Sequence, residues 1–178
     1  MARPTIEQLR GLGDFATTYQ WSLSFALSPQ AFAFSEDFNL RCLTTEVPKV
    51  TNEPIDIKIR GHHIKQPGIS DSTHTITLTF QETVDSYISN GILLWRNACQ
   101  EMSTGIQQPN ELVKANILLH RLDRQDNIIW SYLLRGCFLE DYDPVGGELN
   151  SDSGIVAPSM TLSYDYHIDG PSGELLNI

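Results

Sequence analysis

The chain is short of positive charge: 12 Lys and Arg stand against 22 Asp and Glu, a formal net charge of −10. Gripping DNA or RNA through phosphates needs the opposite surplus, so a phosphate-gripping surface is not expected. Long apolar runs are missing too. None reaches the ~18 residues of a membrane-spanning helix, and Met1-Ala2-Arg3-Pro4 lacks the apolar stretch of a signal peptide. A soluble chain that stays where it is made, with no membrane anchor, is the expectation. Cysteine is sparse. Cys42, Cys99 and Cys137 are odd in number and widely spaced, which points to buried reduced thiols rather than a disulfide or metal site. There is no internal repeat and no low-complexity tract.

Signatures of catalysis are absent as well. No Gly-x-Ser-x-Gly elbow occurs, and Gly11-Leu12-Gly13 is too short to cradle a phosphate. His62 and His63 are adjacent, so in a strand they face opposite sides and cannot hold one ion together. Glu140, Asp141, Asp143, Glu148 and Asp152 form the densest carboxylate group, but their spacing does not match a helix–loop–helix calcium loop. Neither an enzyme nor a cofactor is expected.

What the sequence does have is alternation. With 178 residues, 40% of them hydrophobic, it suits one domain that buries roughly 70% of its unfolded surface. Thr5 with Gln8 three residues on makes a capping-box pattern for a short helix ending at Gly11 or Gly13. Tyr19, Trp21, Leu23, Phe25 and Leu27 alternate with polar or small residues as a half-buried strand. Phe38, Leu40 and Cys42 predict a second strand, stopping before Pro48. In EPIDIKIRGHHIKQPG, residues 53–68, Ile55, Ile57 and Ile59 point one way and Asp56, Lys58 and Arg60 the other. Gly61 opens a turn there, and His63-Ile64-Lys65 forms the return arm, ending before Pro67-Gly68.

Residues 74–80 alternate strictly, with Ile76, Leu78 and Phe80 inward and Thr75, Thr77 and Thr79 outward. The period then changes. Ile88, Ile92, Trp95, Cys99 and Met102 form one stripe of an α-helix facing the sheet. A long hairpin follows over 113–134, then an acidic, Gly-rich loop over 140–155, a last strand over 159–168 and a loosely ordered tail. Tyr19, Trp21, Trp95, Trp130, Tyr132, Tyr164 and Tyr166 fall mostly on core-facing positions, so core packing is expected rather than a sugar-stacking platform. The fold class is therefore mainly β: a sandwich or barrel of about seven strands, one flanking amphipathic helix and an extended hairpin. The organisation is a single domain over 1–178, with an N-terminal arm at 1–18, the 140–155 loop and a tail at 169–178.

This order of elements resembles the tail tube proteins of contractile-tailed bacteriophages, whose fold is shared with tubes of type VI secretion and contractile injection systems. The resemblance runs over residues 14–168, through YQWSLSFAL, FNLRCLTTEVP, IDIKIRGHHIKQPG, HTITLTFQET, the helix DSYISNGILLWRNACQ, the pair NILLHRL and IIWSYLLRGCF, and MTLSYDYHI. It implies hexameric rings that stack into a tube, with sheets of six subunits joined in one continuous barrel. The implied partners are further copies of the chain, a tail sheath protein, baseplate and tail-terminator proteins, and tape-measure protein and DNA in the lumen. The implied place is the virion, in a phage tail assembled in the host cytoplasm.

On this reading the hairpins at 53–68 and 113–134 are the barrel-lining and stacking strands. Pro54, Ile55, Ile57, Ile59, His62, His63, Ile64 and Pro67 would form ring or stacking contacts, with Ile55, Ile57 and Ile59 packed inward against the subunit core. Asp56, Lys58 and Arg60 would face the lumen or an adjacent ring. Alternatives are a baseplate tube initiator or tail terminator of the same fold, the tube of a phage-like injection device, and a monomeric β-sandwich binding module.

Overall fold

The computed structural model describes residues 5–11, 15–27, 34–147 and 154–171. A short helix α1 (Ile6–Arg10) closes with the Gly11 amide donating to the Glu7 carbonyl at 3.0 Å. Strand β1 (Trp21–Leu27) follows, where the alternation of large apolar and small residues placed it. Residues 36–41 are not strand but helix α2 (Glu36–Arg41). Ser35 caps it, its hydroxyl accepting from the Asp37 amide at 3.2 Å, and Glu36 and Asp37 put negative charge in the first turn. The cap outweighs the short alternation: Phe38 is buried and Leu40 is 80% exposed. Only β2 (Cys42–Thr45) remains of the second expected strand.

Next come β3 (Val50–Ile59), β4 (His62–Ser72) and β5 (Thr75–Phe80). Helix α3 (Tyr87–Cys99) and the single turn α4 (Asn110–Val113) lead into β6 (Ala115–Leu122). Strand β7 (Ile128–Asp143) is much longer than the hairpin arm expected. It takes Glu140, Asp141 and Asp143 out of the supposed acidic loop. The closing segment is two strands, β8 (Ser159–Ser163) and β9 (Tyr166–Pro171), so Asp169, Gly170 and Pro171 belong to a strand rather than a loose tail. Glu148, Asp152 and residues 172–178 lie outside the described residues.

All strand pairs are antiparallel, and β7 joins two half-sheets. Its first part lies between β6 and β9, with β1 beyond β6; its last part pairs with β8, which leads on to β5 and β2. The change of partner falls at Gly136, whose φ of +68° permits a bulge there. A Cβ on Gly136 would sit 2.0 Å from Asp165 Oδ2. That carboxylate takes two bonds from Lys114 Nζ, at 2.7 and 2.8 Å, tying the start of β6 to the β8–β9 corner.

One core lies between the half-sheets and α3. Leu23 and Ile117 come from one side, Leu78, Phe80 and Leu162 from the other, and Ile88, Ile92 and Trp95 from the helix. Of the expected helical stripe, Cys99 is only half-buried and Met102 is 78% exposed. The helix stops at Cys99 because Gln100 is already extended, with φ −159° and ψ 122°, so Met102 never completes the turn. The aromatic positions divide similarly: Trp95 and Tyr164 are buried, whereas Tyr19 and Tyr166 are exposed. The three cysteines are free. Burial pushes the Cys42 and Cys137 thiols up to about 12. Among the described residues no helix is long and apolar enough to cross a membrane, and no three His, Cys, Asp or Glu could hold a metal together.

Candidate assembly interface

Among the described residues, strands β3 and β4 pair only with each other and contribute nothing to the core. Their register runs from Val50 opposite Ser72 to Ile59 opposite His62. The connection is the two-residue turn Arg60-Gly61, with φ of 48° and 82°. Two successive positive values are the primed-turn geometry that matches strand twist. At the base, the Thr73 amide donates to the Lys49 carbonyl at 3.1 Å. Pro54 stands opposite Pro67, next to a bulge on β4. Proline, having no N–H, is tolerated because both strands are edges. The arm extends well past Lys65: Pro67-Gly68 marks a bulge in the return strand rather than its end.

The register sorts the expected interface residues into two faces. Ile55, Ile57 and Ile59 share one with Gln66, Ile64 and His62 directly across. Pro54, Asp56 and Lys58 share the other with Pro67, Lys65 and His63, and Asp56 Oδ1 lies 3.1 Å from His63 Nε2. Arg60 leaves the alternation because it sits in the turn. The isoleucines do not pack inward against the subunit, contrary to the sequence expectation. Ile55, Ile59 and Ile64 are each more than half exposed, and only Ile57 is partly covered. The reason is length. Ten and eleven residues carry the hairpin away from the body, so its apolar face meets no part of its own chain's core. Alternation shows which residues share a face, but not whether anything covers it.

A second surface was not singled out as a site from the sequence. On the half-sheet β2-β5-β8-β7 the inward positions are core, and the outward rows are Thr75–Ser163–Phe138, Thr77–Thr161–Asp141 and Thr44–Thr79–Ser159–Asp143. Thr77 Oγ1 and Thr161 Oγ1 are 3.3 Å apart. Asp143 Oδ1 accepts from the Val145 and Gly146 amides at 3.0 Å each, which hold its carboxyl below the ordinary carboxylate value. No Lys, Arg or His occupies a register position on this face. The outward face of β1-β6-β7-β9 differs, bearing the half-buried Leu118 and Ile168 on either side of Leu133, which the subunit itself buries, with His120 and Arg135. His120 Nδ1 lies 2.7 Å from Ser131 Oγ, and burial lowers its pKa.

Both half-sheets end in strands that use one side only. Among the described residues, β1, β2 and β9 each pair with a single neighbour. The chain is similar to solved components of extracellular contractile particles. It matches the cryo-EM structure of the anti-feeding prophage cap (the tube-terminating cap) with a TM-score of 0.65 at 15% identity, covering 90% of this chain and 93% of that one. It matches the sheath/tube terminator of the PVC extracellular contractile injection system, in the extended state, with a TM-score of 0.66 at 16% identity, over 89% and 99%. The PVC sheath–tube complex in the extended state gives 0.61 at 17% identity, over 95% and 99%. No protein-family model and no curated protein matches the chain. The fold is thus the one implied by the sequence resemblance: a mainly β tube-protein fold built on a seven-stranded antiparallel sheet.

Proposed function

We propose that this chain is the tube subunit of a contractile, phage-like tail, closing into six-membered rings that stack as a conduit inside a sheath. The observation that carries the reading is the β3–β4 hairpin. A two-stranded ribbon alone is marginal in water, yet this one spans residues 50–72 and leaves Ile55, Ile59 and Ile64 exposed. Covering each isoleucine in a neighbouring copy would contribute on the order of 1 kcal/mol. Repeated around a ring and along a stack, such contacts make assembly cooperative. The strand borders on β1, β2 and β9 supply the complementary need, because ring closure pairs edges that would otherwise invite aggregation.

In this role the chain performs no reaction. Its partners are other copies of itself, a sheath protein, baseplate and terminator proteins, and a tape-measure protein and DNA within the bore. The particle would be a virion tail, assembled in the cytoplasm of its host. A second reading, a ring of the same fold at the tube terminus, is favoured by the likeness to the two terminator assemblies.

Electron microscopy of the purified chain tests the proposal. The parent protein should form rings or tubes, and Ile57→Asp with Ile64→Asp should remain folded but dispersed. Normal tubes from the double variant would overturn the role given to the hairpin. A parent that stays monomeric at high concentration would overturn the ring reading. Copy number per particle separates a tube protein from a single terminal ring.

A further inference from the structure

The β3–β4 hairpin joins the body through two short links, residues 46–49 before β3 and Thr73-His74 after β4. The first is tied to β5: the Glu46 amide donates to the Thr77 carbonyl at 3.1 Å, and the Glu46 carboxylate accepts from the Thr77 amide at 3.1 Å. The second is tied through a histidine. His74 has a φ of +54°, in the left-handed region, and both its carbonyl and its ring meet Tyr164 between β8 and β9. The Tyr164 amide donates to the His74 carbonyl at 2.8 Å, and His74 Nδ1 lies 3.1 Å from the Tyr164 carbonyl oxygen. The other ring nitrogen, Nε2, lies 3.3 Å from Asp71 Oδ1, at the end of β4. We propose that His74 is a proton-operated latch: charged, it fastens the root of the hairpin to the body, and neutral, it lets the β4 side go.

The chemistry of the two acceptors sets this requirement. A backbone carbonyl and a carboxylate can only accept, and a neutral imidazole has one N–H to give. Only the imidazolium donates to both. When the proton leaves, the N–H kept on Nδ1 retains the Tyr164 bond, and the bare lone pair of Nε2 faces the Asp71 carboxylate and repels it. The latched arrangement therefore holds a proton that the released one gives up, so raising the pH favours release and lowering it favours the latch. Among the described residues, few titratable or charged groups surround the ring. On the β4 side stands Asp71, whose Oδ1 also accepts from the Ser72 amide at 2.9 Å. On the body side the Tyr164 ring lies with its centroid 5.8 Å from that of His74, and its hydroxyl is 3.3 Å from Thr73 Oγ1. His167 meets the Tyr164 ring edge-on at 5.9 Å, and the Asp165 carboxylate is engaged by Lys114. The His74 and Asp71 side chains are 47% and 75% exposed, so the contact is in the modest range of surface ion pairs and sets the hairpin's orientation rather than the fold. On the tube reading, it decides whether the hairpin is held at one angle or swings when it meets a neighbouring copy. The latch itself belongs to the single subunit and operates whether or not rings form.

The test uses the full chain kept dispersed by Ile57→Asp and Ile64→Asp, at pH 5.5 and pH 8, a window in which histidine changes charge. Amide exchange followed by NMR, corrected for intrinsic rates, reads both ends of the latch. Protection of the Thr73 amide, which donates to the Lys49 carbonyl, should fall about threefold from the lower pH to the higher. Protection of the Tyr164 amide should change little. His74→Asn, which suits left-handed backbone and does not titrate, should abolish the fall, and so should Asp71→Ala. Nitrogen-15 shifts of the His74 ring should show protons on both nitrogens at pH 5.5 and on Nδ1 alone at pH 8. Thr73 protection that ignores pH would overturn the latch, as would a fall of equal size in His74→Asn, where His62 and His63 remain at the far end of the hairpin. A neutral His74 ring at pH 5.5 would overturn it too. Every sample is dispersed, so a failure here leaves the tube proposal standing, and a parent chain that makes no tubes leaves the latch standing.

Discussion

Trp95 Nε1 donates to the Val113 carbonyl at 2.8 Å, joining the middle of α3 to the turn that starts β6. The indole is fully buried, with Phe25 and Phe34 edge-on to it at centroid distances of 6.4 and 5.2 Å. Helix, aromatic cluster and first half-sheet meet at this one side chain.

Trp95→Ala should therefore cost about 3–5 kcal/mol, the range for emptying a buried large aromatic site. Trp95→Phe should cost about 1–3 kcal/mol, because it also leaves the Val113 carbonyl unpaired. Urea unfolding followed by circular dichroism checks both. A phenylalanine variant as stable as the parent would show that the hydrogen bond adds nothing.

Glu82 reaches over the first turn of α3. Its carboxylate accepts from the Ser89 amide at 2.7 Å, the Ser89 hydroxyl at 2.6 Å and the Ile88 amide at 3.3 Å. Burial raises its pKa, but the hydrogen bonds from Ser89, Thr83 and Ile88 outweigh that and leave it below the ordinary 4.5. A folded value below the unfolded one means the stabilisation is complete above pH 4.5 and is lost as pH falls through the lowered folded value. Glu82→Gln should lower Tm at pH 7 by the equivalent of about 1 kcal/mol, as for loss of a helix cap. The gap between variant and parent should narrow as the pH falls below 4.5 and through the lowered folded value. Parallel Tm curves at every pH would refute the cap.

The hairpin shares no residue with the core, so excising it tests its independence. Replacing residues 51–71 by a short Gly-Ser loop between Val50 and Ser72 should leave Tm within a few degrees of the dispersed parent, since surface changes remote from the core cost little. Scanning calorimetry measures the first effect. Electron microscopy should show no tubes, and long tubes from the excised chain would remove the hairpin from the assembly mechanism.

Much of this architecture was legible because alternation and helical period are direct records of burial. Ile76, Leu78 and Phe80 are inward as read, and Ile88, Ile92 and Trp95 form the buried helical stripe. The misreadings share a cause. Phe38, Leu40 and Cys42 alternate, but the pattern is too short to compete with Ser35 and the acidic first turn of α2. At 140–143 the Asp and Glu residues read as loop, although Leu139 and Tyr142 continue the inward positions of β7 opposite Leu162 and Met160. The three isoleucines of β3 read as core because an uncovered apolar row looks the same in sequence as a covered one. The hydroxyl face was read only as the outer side of a strand, since three alternating threonines in β5 gain meaning when β8 and β7 extend the same rows.

Strand β7 has a mechanical consequence. Sixteen residues give about 50 Å of backbone contour, bent at the Gly136 bulge, and this single run is stitched into β6 and β9 at one end and β8 at the other. A pull along it loads many ladder bonds in parallel, in shear, instead of unzipping them in turn. A subunit built this way would spread sudden stress through both halves of the molecule at once.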